Sequence, residues 1–368
     1  MPRMFDILRD QGGEDGDKSK KDKLAISVQN NSKNSLLSFP KSTTDSDHKK
    51  QASTDNYALA SRNLINAARE SGVDNYEIAQ KIYEDAVTTV AELLSSSKDQ
   101  EDLSSFAKNI QEVIDNVYNQ LILGDKILTN IYKPKINEYY LPYHIVNTLV
   151  LSLATGLNMK FNKSRIDDLG VAAIFSDTGI EEVKDIVTKP RKLTEEERCW
   201  MEAHLSKSLK FAERVLPLND AVKETIAMHH ERINGKGYPR GLKQDAINPY
   251  AKIIGLVDVF EAMTHKRNYL EEMSAHKAIR LLIGPLRENF DVDVMKNFIN
   301  KMSVYPIGSL VVLDTKEVAR VVSVHPGSPL RPIVQIIRDA LGNPLEGNMI
   351  IDLSIQDFPT IQDSSQSV

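Results

Sequence analysis

Four of the eight histidines lie in or beside stretches with helical apolar spacing: His144, His204, His229 and His230. Asp177 and Asp258 add carboxylate oxygens in the same region. A mixed set of imidazoles and carboxylates suits divalent iron, manganese or zinc better than calcium. Adjacent residues of a helix point about 100° apart, so His229 and His230 cannot both face one small site through identical geometry, although two ions a few ångströms apart could use both. These residue types predict a divalent metal centre.

A longer string includes the adjacent histidines: HHERINGKGYP at residues 229–239, then VDVFEAMT at 257–264 and Arg267-Asn268-Tyr269. It closely resembles the second half of the HD-GYP family of metal-dependent cyclic dinucleotide phosphodiesterases. The resemblance continues through HIVN at 144–147 and the connector KPRKLT at 189–194, with His204 at the next expected ligand position. YPIG at 305–308 resembles the start of the family's small β-unit, so the match covers about residues 138–355.

This resemblance implies a role for each matching residue. His144, Asp177 and Asp258 would hold one metal, and Asp177, His204, His229 and His230 would hold the other, with Asp177 bridging the two. Substrate-binding residues are predicted in the glycine loop and just after the late aspartate: Gly235, Gly237, Tyr238, Pro239 and Arg267. The glycines would let the backbone approach the substrate closely, and Arg267 could pair bidentately with a phosphate. The candidate catalytic residues are Asp177, Lys236 and Arg267.

Three departures from the family pattern fall close to these ligands. Ser176 stands where the family has the histidine of its His-Asp pair, 32 positions after His144 (176 − 144), and Ile180 replaces a lysine. Tyr140 occupies the position of a carboxylate that lets some members hold a third metal. A serine hydroxyl is a poorer ligand for these ions than imidazole. We therefore expect one strong and one weakened metal site, with weak hydrolysis.

Three functional hypotheses are compatible with this pattern. The first is a bacterial phosphodiesterase that opens cyclic di-GMP or a related cyclic dinucleotide with divalent iron, manganese or zinc. The second is a catalytically degenerate signalling module that binds metal or cyclic dinucleotide and acts through protein partners. The third is an HD-type hydrolase of another phosphorylated substrate. Ser176 and Ile180 count against full activity and separate the first two hypotheses.

The elements expected to position these residues are mostly helical. Apolar residues recur every four positions from Ile78 to Leu94, and the pattern predicts helices near 57–70, 75–96 and 102–132. Residues 144–300 are predicted to be mostly helical as well. Short β-type runs follow at 310–313, 319–324 and 333–337. The predicted fold is mainly α: an HD-type helical bundle with an N-terminal helical region and a small C-terminal β-unit.

Composition divides the chain and limits its function. We predict a disordered tail at 1–55, a helical region at 56–137, an HD-GYP-like domain at 138–302, a β-unit at 303–358 and a loose tail at 359–368. The net charge of −5 argues against binding of nucleic acid polymers. Cys199 is the single cysteine, which indicates a reducing compartment, and no apolar run is long enough to span a membrane. We expect a cytoplasmic protein whose N-terminal helices contact protein partners or form a homodimer. His265 is taken as a surface residue without a role.

Overall fold

The computed structural model describes most of the chain after residue 74: residues 75–96, 103–131, 140–187, 194–265, 273–302, 305, 307–325, 328, 331–345, 347, 349–355 and 359–363. Residues 1–61 lie outside this description, and every feature below belongs to residues 62–368. The predicted tail at 1–55 and the predicted helix at 57–70 therefore lie outside the described residues, as does most of the connector at 189–194.

The described helices are α1 Asn75–Ser96, α2 Phe106–Leu123, α3 Leu141–Asn158, α4 Lys163–Phe175, α5 Lys184–Val187, α6 Glu195–Glu202, α7 His204–Val215, α8 Asp220–Met228, α9 Pro249–Thr264, α10 Ala275–Ile283 and α11 Val292–Met302. Short 3₁₀ helices lie at Asp125–Asn130, Thr178–Val183, Gln244–Ala246 and Arg287–Asn289. Within the described residues, no helix is both long enough and apolar enough to cross a membrane.

Helix α3 is the centre of the bundle. Apolar and small residues occur on all its sides, and residues 144–156 are all buried. A helix that is apolar all round is stable when other elements cover every face. Helices α1, α2, α4, α9 and α11 all pack against it. Pro142 lies in its first turn, where the missing backbone N–H costs nothing, and His144 follows in that turn.

The C-terminal β-unit is an antiparallel sheet in the order β4-β3-β2-β1-β5. Its strands are β1 Leu310–Leu313, β2 Val318–Ser323, β3 Ile333–Arg338, β4 Ile350–Asp352 and β5 Ile361–Asp363. Val311 and Leu313 of β1 alternate with less buried neighbours, as do Val334 and Ile336 of β3. The period of two places these side chains on one apolar face.

The predicted fold class is confirmed, but two predicted elements need correction. The helix predicted at 102–132 is divided, because α2 ends at Leu123 and Gly124 follows with a φ of 148°, a conformation that favours glycine. The loose tail predicted at 359–368 is wrong for Ile361–Asp363, which form β5 and pair with β1. Strand β4 was not predicted.

Candidate metal centre

Five separate segments bring the six predicted ligands to one buried place. His144 lies in the first turn of α3, and Asp258 lies in the middle of α9. Asp177 follows the end of α4, and His204 begins α7. His229 and His230 directly follow α8. All six side chains are buried, although ionisable residues are rarely buried without a partner.

The ligand atoms form two overlapping groups. One consists of Asp177, His204, His229 and His230, and the other of His144, Asp177 and Asp258. Within each group, the candidate atoms all lie within 4.8 Å of one another. Asp177 belongs to both groups: its Oδ2 lies 3.0 Å from His144 Nε2, and its Oδ1 lies 3.5 Å from His204 Nε2. The structure therefore brings together every residue that the sequence predicts as a metal ligand.

Hydrogen bonds fix the orientation of three imidazoles. His204 Nδ1 donates to the Met201 carbonyl at 2.5 Å, and His229 Nδ1 donates to the Ile226 carbonyl at 2.9 Å. His144 Nδ1 lies 2.5 Å from Glu261 Oε2. His144 lies between two carboxylates, because its Nε2 is 3.0 Å from Asp177 Oδ2. Since a carbonyl oxygen only accepts, Nδ1 of His204 and Nδ1 of His229 each carry a proton, and the Nε2 atoms of these two rings face Asp177. This is the tautomer that binds a metal through Nε2.

Burial and neighbouring charges set the protonation of the cluster. Burial lowers the pKa of His204 to about 4 and lowers the pKa of His230 well below its ordinary value, so both imidazoles are neutral near pH 7. Burial opposes ionisation of Asp177, but the neighbouring imidazoles of His144 and His229 outweigh it and hold its pKa well below the ordinary value. Burial, followed by the charge of Asp177, raises the pKa of Asp258.

The cluster lacks protein donors for several of its buried atoms. In the described part of the chain, these ligand atoms have no hydrogen-bond partner: Asp177 Oδ1, His204 Nε2, His229 Nε2, both ring nitrogens of His230 and both carboxylate oxygens of Asp258. A buried polar atom left without a partner costs about 1–3 kcal/mol. A cation bound among these lone pairs would satisfy them together. The residues therefore form a buried cluster that is able to hold a metal.

The three departures from the family pattern also lie next to the cluster. The Ser176 hydroxyl is fully buried and donates to the Ala172 carbonyl at 2.6 Å, within its own helical turn. Ile180 is 2% exposed and supplies neither charge nor proton. The ring centroid of Tyr140 lies 6.4 Å from that of His144.

The loop after the adjacent histidines is held by one buried carboxylate. Glu231 accepts hydrogen bonds from the backbone N–H groups of Arg240 at 2.7 Å and Leu242 at 2.9 Å. The Tyr238 ring packs on His230 with 4.7 Å between centroids. A Cβ at Gly237 would lie 2.4–2.5 Å from the backbone at His230–Arg232. Gly237 thus packs against its own backbone, and its contact with a substrate stays a prediction.

The remaining predicted site residues do not all join the cluster. Lys236 forms an exposed ion pair with Glu288 at 2.9 Å, with side-chain exposures of 71% and 64%. The structure therefore places the Lys236 ammonium in a surface pair and not among the ligands, and its catalytic role stays a prediction. Arg267 lies outside the described residues.

Sequence reasoning missed several residues that support the ligands. Glu261 contacts His144, and Gly179 packs so closely that a Cβ would lie 2.3 Å from the His204 carbonyl oxygen. His265 is not a free surface residue, because its ring nitrogens lie 2.9 Å from the Glu261 carbonyl and 2.8 Å from the Ile131 carbonyl. No signal in a single sequence separates these residues from ordinary core positions.

Two protein families match separate parts of the chain. Residues 126–294 match the HD domain family, and residues 310–366 match the KOW domain associated with HD domain. A cyclic di-GMP phosphodiesterase of Pseudomonas aeruginosa is 27% identical over 243 residues, 66% of this chain and 58% of that protein. The cyclic di-GMP phosphodiesterase PdeB of Borreliella burgdorferi is 28% identical over 205 residues, 55% and 54% of the two chains. A 3'3'-cGAMP-specific phosphodiesterase of Vibrio cholerae is 32% identical over 133 residues, 36% and 30%.

The chain spans between about a third and three fifths of the length of these curated relatives. Among solved structures, it is similar to an HDG"Y"P protein from Bdellovibrio bacteriovorus, with a TM-score of 0.52, 14% identity, and coverage of 70% of this chain and 80% of that one. At this identity, the similarity concerns the fold. These matches confirm the resemblance drawn from the motifs.

Proposed function

We propose that the chain is a metal-dependent phosphodiesterase of the HD-GYP type that hydrolyses cyclic di-GMP slowly. The match of residues 126–294 to the HD domain family and the similarity to cyclic di-GMP phosphodiesterases support this proposal. The observation that carries this proposal is the sharing of Asp177 by two buried ligand groups. Two ions a few ångströms apart are the usual arrangement for hydrolysis of a phosphodiester. In this proposal, Asp177 is the residue that holds both ions.

The proposed ligands divide unequally between the two metals. Asp177, His204, His229 and His230 supply one carboxylate and three imidazoles, a set that suits divalent iron, manganese or zinc. His144, Asp177 and Asp258 supply one imidazole fewer than the family pattern, because Ser176 stands in its place. When bound, divalent ions supply an activated water and a clamp for the phosphate.

The chain's own residues would orient the substrate beside these ligands. Glu231 holds the loop that carries Tyr238 and Pro239, so this loop has a fixed shape next to His230. We assign substrate contact to Gly235, Tyr238 and Pro239 of the loop, and phosphate contact to Arg267 on the strength of the sequence motif. The names of the relatives indicate cyclic di-GMP, with 3'3'-cGAMP as a related substrate.

Slow turnover follows from two substitutions in this proposal. The Ser176 hydroxyl is engaged with the Ala172 carbonyl, and Ile180 is buried and apolar where a cation would face the phosphate. Loss of one preorganised electrostatic donor lowers a rate by about 10²–10³. The same two observations favour a second candidate, a module that binds a cyclic dinucleotide without cleaving it and signals through protein partners.

One set of measurements separates these candidates. Anaerobically purified chain is assayed for metal content and for hydrolysis of cyclic di-GMP and 3'3'-cGAMP, beside Ser176→His, Ile180→Lys and the double variant. We expect one tightly held metal in the unmodified chain, a stoichiometry nearer two in Ser176→His, and a rate in the double variant that exceeds the product of the single effects. His204→Ala should remove the tight site.

Each result decides between the hypotheses. Rapid hydrolysis by the unmodified chain would refute slow turnover, and binding of cyclic di-GMP with no hydrolysis by any variant would favour the signalling module. Absence of both metal and cyclic dinucleotide binding would refute the metal proposal. A cytoplasmic location, a homodimer and partner contacts through residues 56–137 stay predictions.

A further inference from the structure

A series of buried hydrogen bonds connects helix α1 to the metal ligand His144. The Tyr83 hydroxyl, on α1, donates to Asn147 Oδ1 at 2.7 Å. The Asn147 amide nitrogen donates to Glu261 Oε1 at 3.0 Å. The other oxygen of that carboxylate, Oε2, accepts from His144 Nδ1 at 2.5 Å. Three helices, α1, α3 and α9, thus contribute to one connected network.

The chemistry of each group fixes which atoms donate and which accept in this network. Burial, followed by the charge of Glu261, raises the pKa of Tyr83, so its phenol remains a neutral donor. The phenol O–H engages Asn147 Oδ1, which leaves the amide N–H₂ to face Glu261. An amide rotated by half a turn would place its oxygen against the carboxylate. The Asn147 amide in turn holds the Glu261 carboxylate, which accepts the hydrogen bond from His144 Nδ1.

The network begins outside the part of the chain that matches the HD domain. That match starts at residue 126, whereas Tyr83 lies on α1 at 75–96. A second contact joins Glu261 to the chain before α3. The His265 ring lies between the backbone carbonyl oxygens of Glu261 and Ile131. Helix α1 packs directly on α3, and Tyr83 is 5% exposed.

We infer that Tyr83 is a positioning residue for the metal centre, which acts through Asn147 and Glu261 on the ring of His144. Helix α1 is on this view a part of the centre and not only a packing element. A displacement of α1 would therefore alter the orientation of the His144 ring, although no residue of α1 is itself a proposed metal ligand. The inference rests on the proposed metal site and extends it to a residue outside the HD domain match.

The physical basis is the dependence of a histidine ligand on the group that binds its second ring nitrogen. That group fixes the tautomer and ring orientation, and its loss lowers metal affinity about 10–100-fold. Glu261→Gln should therefore weaken binding at the site of His144, Asp177 and Asp258 by about 10–100-fold. Tyr83→Phe removes a single hydroxyl two hydrogen bonds further out, and we expect about a 10-fold loss, the lower end of that range.

Binding of Mn²⁺ alone tests this inference in the full chain. Free Mn²⁺ is measured by electron paramagnetic resonance during titration of the unmodified chain, Tyr83→Phe, Glu261→Gln and the double variant. Tyr118→Phe is the matched control, since Tyr118 is only 6% exposed. Tyr118 lies on α2, and its ring contacts Lys163 of α4. If Tyr83 acts through Glu261, the double variant loses no more affinity than Glu261→Gln. Additive losses, or equal losses in Tyr83→Phe and Tyr118→Phe, would overturn the inference.

A spectroscopic measurement separates positioning from a general loss of structure. Long-range ¹H–¹⁵N spectra of histidine-labelled, metal-free chain report which ring nitrogen of His144 carries the proton. We expect a hydrogen-bonded Nδ1–H of His144 in the unmodified chain and in Tyr118→Phe, and a shifted or weakened Nδ1–H signal in Tyr83→Phe. An unchanged His144 signal in Tyr83→Phe would refute the inference. If the unmodified chain binds no Mn²⁺, the proposed function fails, while the imidazole spectra still test the hydrogen-bond network.

Discussion

Gly255 lets helix α9 pack closely against the backbone at His229. The variant Gly255→Ala tests whether this close packing is needed to hold His229 and His230 in place. A Cβ at residue 255 would lie 2.4 Å from the His229 carbonyl oxygen. Real Cβ atoms essentially never approach closer than 3.0 Å, so the backbone at His229 or helix α9 must move by at least about 0.6 Å. The obstructing atom belongs to the backbone and cannot rotate away as a side chain would.

The size of this movement determines the expected effect. Metal–ligand distances tolerate about ±0.2 Å, so a shift of about 0.6 Å is roughly three times the tolerance. Overpacking of a buried contact costs about 1–3 kcal/mol of folding free energy. We expect Gly255→Ala to lower the free energy of unfolding by that amount and to weaken metal binding through His229 and through Asp258, which α9 carries.

The assay is urea denaturation of the unmodified chain and the variant, each with and without Mn²⁺. Gly156→Ala is the matched control, because a Cβ there would meet the flexible ends of Leu169 and Ile166 at 2.9 and 3.1 Å, and not backbone. The control should retain the stabilisation by Mn²⁺, whereas Gly255→Ala should lose most of it. Equal stabilisation of both variants by Mn²⁺ would show that the ligands do not depend on the close approach of α9.

Two further predictions concern the loop after the histidines. Glu231→Gln should lower the free energy of unfolding by about 1.5–3 kcal/mol, because one amide oxygen cannot replace the two carboxylate oxygens that accept from the backbone N–H groups of Arg240 and Leu242. The same variant should weaken cyclic di-GMP binding. Urea denaturation and equilibrium dialysis measure these effects, and an unchanged unfolding curve would contradict them. Lys236→Ala should leave metal content and hydrolysis unchanged and alter stability by less than about 1 kcal/mol, since its partner Glu288 is also exposed. A large loss of hydrolysis in Lys236→Ala would contradict this expectation and support the predicted catalytic role of Lys236.

Local patterns predict much of this fold. Helix α1 has the bounds that its four-residue apolar spacing predicts, and the run at 310–313 is strand β1. Strands β4 and β5 were missed because each has three residues, too few to establish a period of two. They are strands through pairing with β3 and β1, and that pairing joins distant parts of the chain.

The candidate metal ligands could be predicted from local sequence, whereas the residues that support them could not. His229 and His230 belong to a string that a single sequence displays, so the ligands could be predicted from it. Glu261 reaches His144 across 117 positions, and Tyr83 reaches Asn147 across 64. Neither pair shares a local motif, and a tyrosine in an amphipathic helix has the same pattern whether its hydroxyl meets water or a buried amide. The contacts between helices decide the role of such residues.

The single carboxylate of Asp177 lies between two groups of ligands, with one oxygen toward His144 and the other toward His204. Charge drawn from one oxygen changes the electron density of the other, so occupancy of either position alters affinity at its neighbour. Thermodynamic linkage makes this influence reciprocal, with the same factor in both directions. A strongly held ion at His204, His229 and His230 would thereby change the affinity for a second ion at the position of His144 and Asp258.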